Sequence, residues 1–496
     1  MSTDMDDPVF FDFDVDAEPD GSPGRPAPSR SQSPFPALSA DAPPVALSED
    51  QGHALAAITE KIKNSHEPAV LVGAAGTGKT TVMRAFLASM PSGQQVICAC
   101  PTWKAALRFK DAAGREASSV HRVIYGPPLE EEIDGGKVNL QFFLRKGSLK
   151  GQIPWKSLLI VDECSMLGTK VYADIMRVVD ENNARVLFVG DKCQLQPVND
   201  TWGVDFYNPT ASLTRVHRQA EASVPLRFVT AIREGQAQNF RDWDDTCQWV
   251  DGPSMEYIEQ FVSACALPEF AVDRTMIAYT NELRQGLNRM ARGVYGLEAP
   301  LVPGEPLLSF SNTAGLVNGE QATVLSAAPI CRSEDDQVER ALNAVYTGRN
   351  IDILRVEVDT GFCRKRLFVF PALLQVEHKQ VTAARNTLLE PFLSKLESAN
   401  LLDERGRPIS VYTAMRRGAR SISIDLLNAF FAIADVQYGY ALTAHKAQGS
   451  QWKQVMVFVD RSLRGAAQRE GQDFMRRWLY TAASRCQTHV KVCGLR

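Results

Sequence analysis

A glycine-rich segment from Gly73 to Thr80, GAAGTGKT, is the part of this 496-residue chain whose chemistry is easiest to predict. It directly follows the apolar run AVLV and directly precedes a helical pattern. Glycines allow backbone N–H groups to wrap around phosphate oxygens, and a helix N-terminus adds positive potential. Lys79 can reach the β- and γ-phosphates and Thr80 can bind Mg²⁺, so this context favours a nucleotide-binding loop over a chance turn. Its predicted members are Gly73, Ala74, Ala75, Gly76, Thr77, Gly78, Lys79, Thr80 and Thr81.

Two adjacent carboxylates, Asp162 and Glu163, end a second apolar run, SLLIV. A buried strand would deliver both to the carboxyl edge of a sheet, beside the phosphate loop. Asp162 is suited to binding Mg²⁺, and Glu163 is suited to polarising an attacking water. An isolated Asp-Glu pair is often an ordinary solvated strand end, but a sheet shared with Lys79 favours the catalytic interpretation. We therefore expect ATP and Mg²⁺ as cofactors.

The elements that must position these residues alternate between apolar, β-rich runs and helical stretches. The runs AVLVGAAG, QVICAC, SLLIVDE and RVLFVGD follow one another from Leu47 onward, and a second such region starts near TMIAYT. That region resumes in VQYGYAL, QVMVFVD and HVKVCGL. Continuous apolar strands alternating with helices predict an α/β fold with two parallel sheets covered on both faces.

Two interruptions of this pattern predict inserts. A DGG turn between alternating segments predicts a β-hairpin insert at 120–155. The paired runs IDILRVEVD and RKRLFVF predict a β-rich accessory insert at about 331–435. The expected domains are a disordered tail at 1–46, a first ATPase domain at 47–215 and a second domain at 216–496.

Composition excludes several other classes of protein. The tail at 1–46 holds nine acidic and two basic residues with seven prolines between Pro23 and Pro44, which predicts disorder. The remaining chain is weakly basic and so permits a nucleic-acid partner. The ten cysteines are scattered without a CxxC pair, which favours structural thiols over zinc ligands or disulfides. No apolar run is long enough to span a membrane, and we expect a cytoplasmic protein.

Four further motifs follow the phosphate loop and the carboxylate pair. They are GDKCQLQPV from Gly190, LTRVHRQ from Leu213, LTAHKAQGS from Leu442 and YTAASR from Tyr480. In this order the set resembles the superfamily-one helicases, and most closely the Dda and RecD group that moves 5′ to 3′. The resemblance runs from about Leu47 to Val492. It implies two RecA-like motor domains and ATP-dependent unwinding of DNA in replication, recombination or repair. An RNA helicase, a translocase that does not unwind and a nucleotide-gated recruitment protein are the alternatives.

The resemblance also implies roles at the nucleotide. Gln51 matches the glutamine that reads adenine, and Gln194 matches the sensor of the γ-phosphate. Arg218 and Arg485 match two arginines that approach the γ-phosphate from the second motor domain, and Gly449 is expected to let the backbone pass close to the nucleotide. An exposed helix-end amide for Gln51 and surface ion pairs for the arginines are the alternatives.

A nucleic-acid track across both motor domains is implied in the same way. Its hydroxyls, imidazoles and lysines suit contacts with the backbone of a strand, which position it without reading sequence. The candidates are Thr102, Lys104, His121, Thr443, His445, Lys446 and Ser450. Relatives carry a duplex-splitting hairpin, so Phe142 or Phe143 of the predicted hairpin could be the wedge, although core packing is the alternative.

The expected partners are single-stranded DNA and junctions of single- and double-stranded DNA, bound by a monomer. Residues 1–20 interleave carboxylates with Phe10, Phe11 and Phe13. Such segments can dock into basic, apolar grooves. The tail is therefore predicted to bind a replication or single-stranded-DNA-binding protein, or to fold back on the chain's own DNA track. An inert leader is the alternative.

Overall fold

The structure, a computed structural model, describes residues 47–91, 93–125, 129–133, 137–141, 153–197, 200–215, 223–252, 255–311, 314–316, 319–330, 336–361, 363–397, 426, 429–430 and 432–494. The tail at 1–46, the wedge candidates Phe142 and Phe143, and Arg218 lie outside these residues. The backbone of Lys104 is described, but its side chain is not.

The strands are numbered in chain order. They are β1 (Ala69–Gly73), β2 (Val96–Cys100), β3 (Ala117–Ser119), β4 (Leu129–Ile133), β5 (Lys137–Gln141), β6 (Leu158–Val161), β7 (Arg185–Gly190), β8 (Ala211–Leu213), β9 (Cys247–Val250), β10 (Arg274–Ala278), β11 (Pro306–Ser309), β12 (Gln321–Pro329), β13 (Leu354–Asp359), β14 (Arg364–Val369), β15 (Val436–Tyr438), β16 (Ala441–Thr443), β17 (Trp452–Phe458) and β18 (Cys486–Cys493).

The α-helices are numbered in the same way. They are α1 (Glu49–Asn64), α2 (Lys79–Ala88), α3 (Trp103–Ala113), α4 (Val120–Ile124), α5 (Thr169–Glu181), α6 (Val224–Arg233), α7 (Met255–Ser263), α8 (Leu267–Asp273), α9 (Asn281–Val294), α10 (Gln337–Tyr346), α11 (Pro371–Leu374), α12 (His378–Glu397), α13 (Ala444–Ala447), α14 (Arg461–Glu470) and α15 (Gln472–Ala483). No helix among the described residues is long and apolar enough to cross a membrane.

The first sheet is wholly parallel and has the order β3-β2-β6-β7-β1-β8. Every residue of β1 and β6 is buried, as expected for strands covered on both faces. Helix α1 begins with a capping box in which the side chains and backbones of Ser48 and Gln51 bind each other reciprocally. The order puts the carboxyl ends of β1, β6 and β7 along one edge, where the candidate site lies. The predicted parallel α/β architecture is confirmed.

The second sheet is also parallel, with the order β16-β10-β17-β18-β9. Its strand β16 comes from the run VQYGYAL, but the first half of that run forms β15 in a different sheet. The chain turns at Gly439, whose N–H donates to the carbonyl of Pro306. Apolar periodicity alone cannot distinguish one long strand from two short strands in different sheets. The assignment of the whole run to one α/β region was therefore wrong.

The third sheet is antiparallel, with the order β14-β13-β12-β11-β15. The predicted insert at about 331–435 contains β13 and β14, and the other three strands flank it in the sequence. In the first half of the chain, β4 and β5 pair as an antiparallel hairpin that ends at Ile133 and Lys137, on either side of the DGG sequence. The placement of both β-rich segments agrees with the predicted fold class, whereas the domain boundaries remain a prediction.

A buried polar network joins the antiparallel sheet to α9. Arg292 Nε donates to Glu305 Oε1 at 2.8 Å, and the Tyr440 hydroxyl donates to the same oxygen at 2.9 Å. Arg292 Nη1 also donates to the hydroxyl of Tyr438 at 2.8 Å. Burial raises the pKa of Glu305, and Arg292 opposes that effect. Removing one member would leave a buried charge or polar group unpaired, so the network fixes this sheet against the second parallel sheet.

Candidate nucleotide site and nucleic-acid track

The glycine-rich segment forms a loop between β1 and α2, as its sequence predicts. Gly78 caps α2 with a left-handed φ of 83°, a backbone conformation that residues with a Cβ rarely adopt. Lys79 Nζ donates to the carbonyls of Gly73 at 2.7 Å and Ala74 at 3.1 Å. Thr80 and Thr81 follow on the first turn of α2 and are half-buried. The loop thus places an ammonium group, hydroxyls and a helix N-terminus together.

Gln51 reaches this loop from α1. Its Nε2 donates to the carbonyl of Thr77 at 3.3 Å, and its Oε1 accepts from the N–H of Ser48 at 3.1 Å. The residue is buried, unlike the exposed helix-end amide that was the alternative to an adenine contact. Its amide therefore supports the phosphate loop and the start of α1, and adenine recognition remains a prediction.

The two carboxylates lie where β6 ends. Burial raises the pKa of Asp162, and the adjacent Glu163 raises it further, while Lys79 and Arg108 oppose the shift. Glu163 has a left-handed φ of 52° and begins the short turn Cys164–Met166. A strained conformation at a non-glycine residue commonly marks a functional site. The site therefore combines two carboxylates with two basic groups, of which Arg108 on α3 was not predicted from the sequence.

The oxygen donors at this edge fit Mg²⁺. Asp162 offers a carboxylate whose raised pKa reflects burial beside a like charge, and Thr80 offers a hydroxyl. No group of three or more His, Cys, Asp or Glu residues suited to holding a metal occurs in the described part of the chain. Mg²⁺ usually takes one or two protein oxygens together with phosphate and water, so a small donor set is appropriate.

Gln194 links this edge to the second half of the chain. Its Nε2 donates to Glu163 Oε2 at 3.3 Å, and its buried Oε1 has no hydrogen-bond partner among the described residues. The next residue, Leu195, donates its N–H to Thr481 Oγ1 at 2.9 Å. The predicted γ-phosphate sensor is thus held between the candidate catalytic carboxylate and α15.

Arg485 follows α15 and is buried. Its Nε donates to the carbonyl of Thr481 at 3.0 Å and its Nη2 to Ser484 Oγ at 2.8 Å. Burial lowers the pKa of the Arg485 guanidinium, whereas the nearby carboxylate of Glu163 raises it. A surface ion pair, the alternative for this residue, is therefore excluded by its burial. Glu163 follows a strand of the first parallel sheet and Arg485 precedes a strand of the second, so this electrostatic effect acts between the two sheet regions.

The structure adds a contact that the sequence did not predict. The hydroxyl of Tyr480 donates to Asp191 Oδ2 at 2.6 Å and accepts the N–H of Ala75 at 2.9 Å. Tyr480, Asp191 and Ala75 all belong to motifs that are visible in the sequence. Nothing in their spacing shows that a hydroxyl on α15 crosses to the phosphate loop, because the contact spans more than 400 positions.

Two of the candidate nucleic-acid residues cap the starts of helices, one from each half of the chain. Thr102 caps α3 by accepting the N–H of Ala105, and Thr443 caps α13 by accepting that of Lys446. Gly449 has a left-handed φ of 76°, and a Cβ at this position would lie 3.3 Å from Ala105 Cβ. This close approach to α3 explains the glycine without a nucleotide contact, which remains a prediction.

The other track candidates differ in exposure. Lys446 Nζ lies 5.5 Å from the centre of the Phe310 ring, and His445 beside it is half-buried. Ser450 is buried, which makes its hydroxyl a poor direct contact for a strand at the surface. His121 is exposed on α4, with its ring 5.3 Å from that of Tyr125. The roles of these residues in binding nucleic acid remain predictions.

Two family models match the chain in the order expected from the motifs. A model described as an AAA domain matches residues 46–252, and one described as a UvrD-like helicase C-terminal domain matches residues 438–493. The ATP-dependent DNA helicase Dda of Enterobacteria phage T4 is 21% identical over 446 residues, which cover 83% of this chain and 92% of Dda. The chain belongs to the superfamily-one helicases of the Dda and RecD type. The resemblance seen in the sequence is confirmed.

A second relative of this helicase is the ATP-dependent RecD2 DNA helicase of Deinococcus radiodurans. It is 35% identical over 201 residues, which are 40% of this chain and 25% of RecD2. The helicase therefore aligns with a quarter of that relative's length but with most of Dda. The AAA-domain match includes Lys79, Asp162, Glu163 and Gln194, and the UvrD-like match includes Arg485.

Solved structures similar to this helicase include Pif1 helicases. The Pif1 helicase from Bacteroides in complex with ADP-AlF3 and ssDNA is 16% identical, with alignment over 90% of this chain and 92% of Pif1 and a TM-score of 0.46. The Pif1 helicase from Candida albicans is 14% identical over 91% and 95%, with a TM-score of 0.44. The strand pairing of the two parallel sheets, rather than these scores, establishes the fold of this helicase.

Proposed function

We propose that the chain is an ATP-dependent DNA helicase that translocates 5′ to 3′ on single-stranded DNA and unwinds duplex in replication, recombination or repair. The observation that supports this best is the meeting of the phosphate loop with α15. The hydroxyl of Tyr480 accepts the N–H of Ala75, and the charge of Glu163 acts on the buried guanidinium of Arg485. An arginine supplied across a cleft can make hydrolysis depend on closure of that cleft, which is what a motor requires.

The proposed hydrolytic roles follow from the chemistry of the side chains. Lys79 neutralises the β- and γ-phosphates, and Arg485 neutralises charge that develops on the γ-phosphate during transfer. Glu163, bound by Gln194, orients and polarises the attacking water. Thr80 and Asp162 would hold Mg²⁺, which supplies further neutralisation of phosphate charge when it is bound. Gln194 contacts Glu163, so it can relate the state of the phosphate to the position of the general base.

Coupling to DNA is proposed to run through the starts of α3 and α13. Helix N-termini bind phosphate groups through backbone N–H donors, and α3 and α13 belong to the first and second motor domains respectively. Gly449, which follows α13, lies close to Ala105 in the first turn of α3, so the two helices are neighbours. Opening and closing the nucleotide cleft would change their separation and so move the strand. The hairpin β4–β5, with Phe142 and Phe143 beyond it, is proposed as the wedge at a duplex junction.

Stimulation of ATP hydrolysis by matched DNA and RNA oligomers tests this function. We expect saturating single-stranded DNA to raise the turnover of the full chain above its basal value, and to do so more than RNA of the same sequence. Stronger stimulation by RNA would establish the RNA-helicase alternative. No stimulation by either polymer would favour the nucleotide-gated recruitment protein.

The role of the acidic tail can be tested by deleting it in the same assay. We propose that residues 1–20 bind a protein partner in replication or repair, because carboxylates alternate there with three phenylalanines. Deleting residues 1–46 should then leave unchanged the DNA concentration that gives half-maximal stimulation. A lower concentration after deletion, most clearly at low salt, would instead identify the tail as a competitor of DNA on the chain's own track.

A further inference from the structure

The hydroxyl of Tyr480 is held by two groups of the first parallel-sheet domain, although the residue itself belongs to the second. It accepts the N–H of Ala75 in the phosphate loop at 2.9 Å and donates to Asp191 Oδ2 at 2.6 Å. Tyr480 and Asp191 are each only 1% exposed. Burial and the neighbouring Asp191 raise the pKa of the phenol far above its usual value, so the hydroxyl keeps its proton. A short hydrogen bond to a buried carboxylate is of the stronger, charge-assisted kind.

Asp191 is itself fixed by the loop that follows β7. Its Oδ1 accepts the N–H of Cys193 at 2.9 Å, which leaves Oδ2 directed at Tyr480. This loop also carries Gln194, the residue that contacts Glu163. The tyrosine hydroxyl therefore touches two of the first domain's nucleotide-site segments at once, namely the phosphate loop and the loop that bears the predicted γ-phosphate sensor.

The helix that carries Tyr480 also places Arg485. The residue after Tyr480, Thr481, accepts the N–H of Leu195 through its hydroxyl and accepts Arg485 Nε through its carbonyl. On the preceding turn, Arg477 donates to the carbonyl of Lys192. Consecutive turns of α15 thus dock on one loop of the first domain. Any rotation of the helix about its axis would move both Tyr480 and Arg485.

We propose that Tyr480 is a positioning residue for ATP hydrolysis, whose hydroxyl sets the placement of Arg485 by locking α15 to the phosphate loop and to Asp191. Tyr480 does not touch the reacting atoms in this role. It acts by fixing the angle at which the second motor domain presents its arginine. This inference rests on the proposed function, because it assigns a task within the same hydrolytic site.

Replacing Tyr480 with phenylalanine tests the role, because the ring is kept and only the hydroxyl is lost. With saturating single-stranded DNA we expect kcat for ATP hydrolysis to fall by about tenfold, the effect of losing one strong hydrogen bond that matters in the transition state. The dissociation constant of a fluorescent ADP analogue should stay within about twofold, because Lys79 and the remaining N–H donors of the loop are untouched.

The matched control is Tyr440→Phe. Tyr440 is another fully buried tyrosine whose hydroxyl donates to a carboxylate, that of Glu305, and it lies in the network beside the antiparallel sheet. The substitution Tyr440→Phe likewise removes one buried hydroxyl, but at a place remote from the phosphate loop. We expect Tyr440→Phe to lower Tm without changing kcat by more than about twofold. The proposal would be overturned if kcat fell equally in the two variants, or if the fall in kcat of each variant simply followed its fall in Tm.

A double-mutant cycle with Asp191→Asn gives a second, independent test. If the two side chains act through one shared contact, kcat of the double variant should be no lower than that of Tyr480→Phe alone. Multiplicative losses, or a Tyr480→Phe variant with normal kcat, would overturn the positioning role. In either case hydrolysis by the unaltered chain would leave the proposed function in place. Absence of DNA-stimulated hydrolysis in the unaltered chain would instead refute the proposed function and this inference with it.

Discussion

The Lys79→Ala variant is expected to lose ATP hydrolysis on the order of a thousandfold, with or without DNA. Lys79 is the cation at the centre of the loop, where its Nζ lies 2.7 Å from the carbonyl of Gly73. Alanine would leave the negative charge of the β- and γ-phosphates without its protein counter-ion, and helix α2 alone supplies only a partial charge. Phosphate release at saturating ATP and single-stranded DNA measures the effect.

Lys170→Ala is a suitable control for that measurement. Lys170 is an exposed lysine on α5, between β6 and β7 of the first parallel sheet. Its removal changes the net charge by the same amount as the removal of Lys79. We expect turnover of this variant to remain close to that of the unaltered chain. Near-normal hydrolysis by Lys79→Ala would contradict the assignment of the phosphate loop.

The Arg485→Ala variant is expected to bind ATP and DNA but to lose about a thousandfold in kcat. Losses of this size follow the removal of arginine fingers, because their charge acts mainly on the transition state. The guanidinium is buried and donates hydrogen bonds to Thr481 and Ser484, and the negative charge of Glu163 favours its charged form. Single-turnover hydrolysis, measured beside equilibrium binding of nucleotide, separates the chemical step from affinity.

Loss of any buried arginine can destabilise a domain, so the control is Arg274→Ala. Arg274 is buried in β10 and donates to the carbonyl of Phe261, away from the nucleotide site. Its removal should lower Tm without a comparable loss of kcat. If Arg485→Ala turned over normally, the role of the arginine would pass to Arg218 alone.

The sequence predicts local chemistry better than contacts between distant segments. The phosphate loop and the two carboxylates that follow β6 are each encoded within a few residues, so their motifs predict them directly. The parallel sheets follow from apolar runs of the right length. Tyr480 and Arg108 were missed because their partners lie in other elements, and only packing of the helices brings them to the site. The run VQYGYAL was misassigned for the same reason, since each half pairs with a different sheet.

An unwinding assay on duplexes with a single-stranded overhang at either the 5′ or the 3′ end tests the central claim most directly. With ATP and Mg²⁺, the full chain should separate the strands of the 5′-overhang duplex, and separate those of the 3′-overhang duplex much more slowly. Separation should require ATP hydrolysis and stop when a non-hydrolysable analogue replaces ATP. Faster unwinding from the 3′ overhang would contradict the direction of movement, and DNA-stimulated hydrolysis without strand separation from either overhang would contradict the helicase assignment itself.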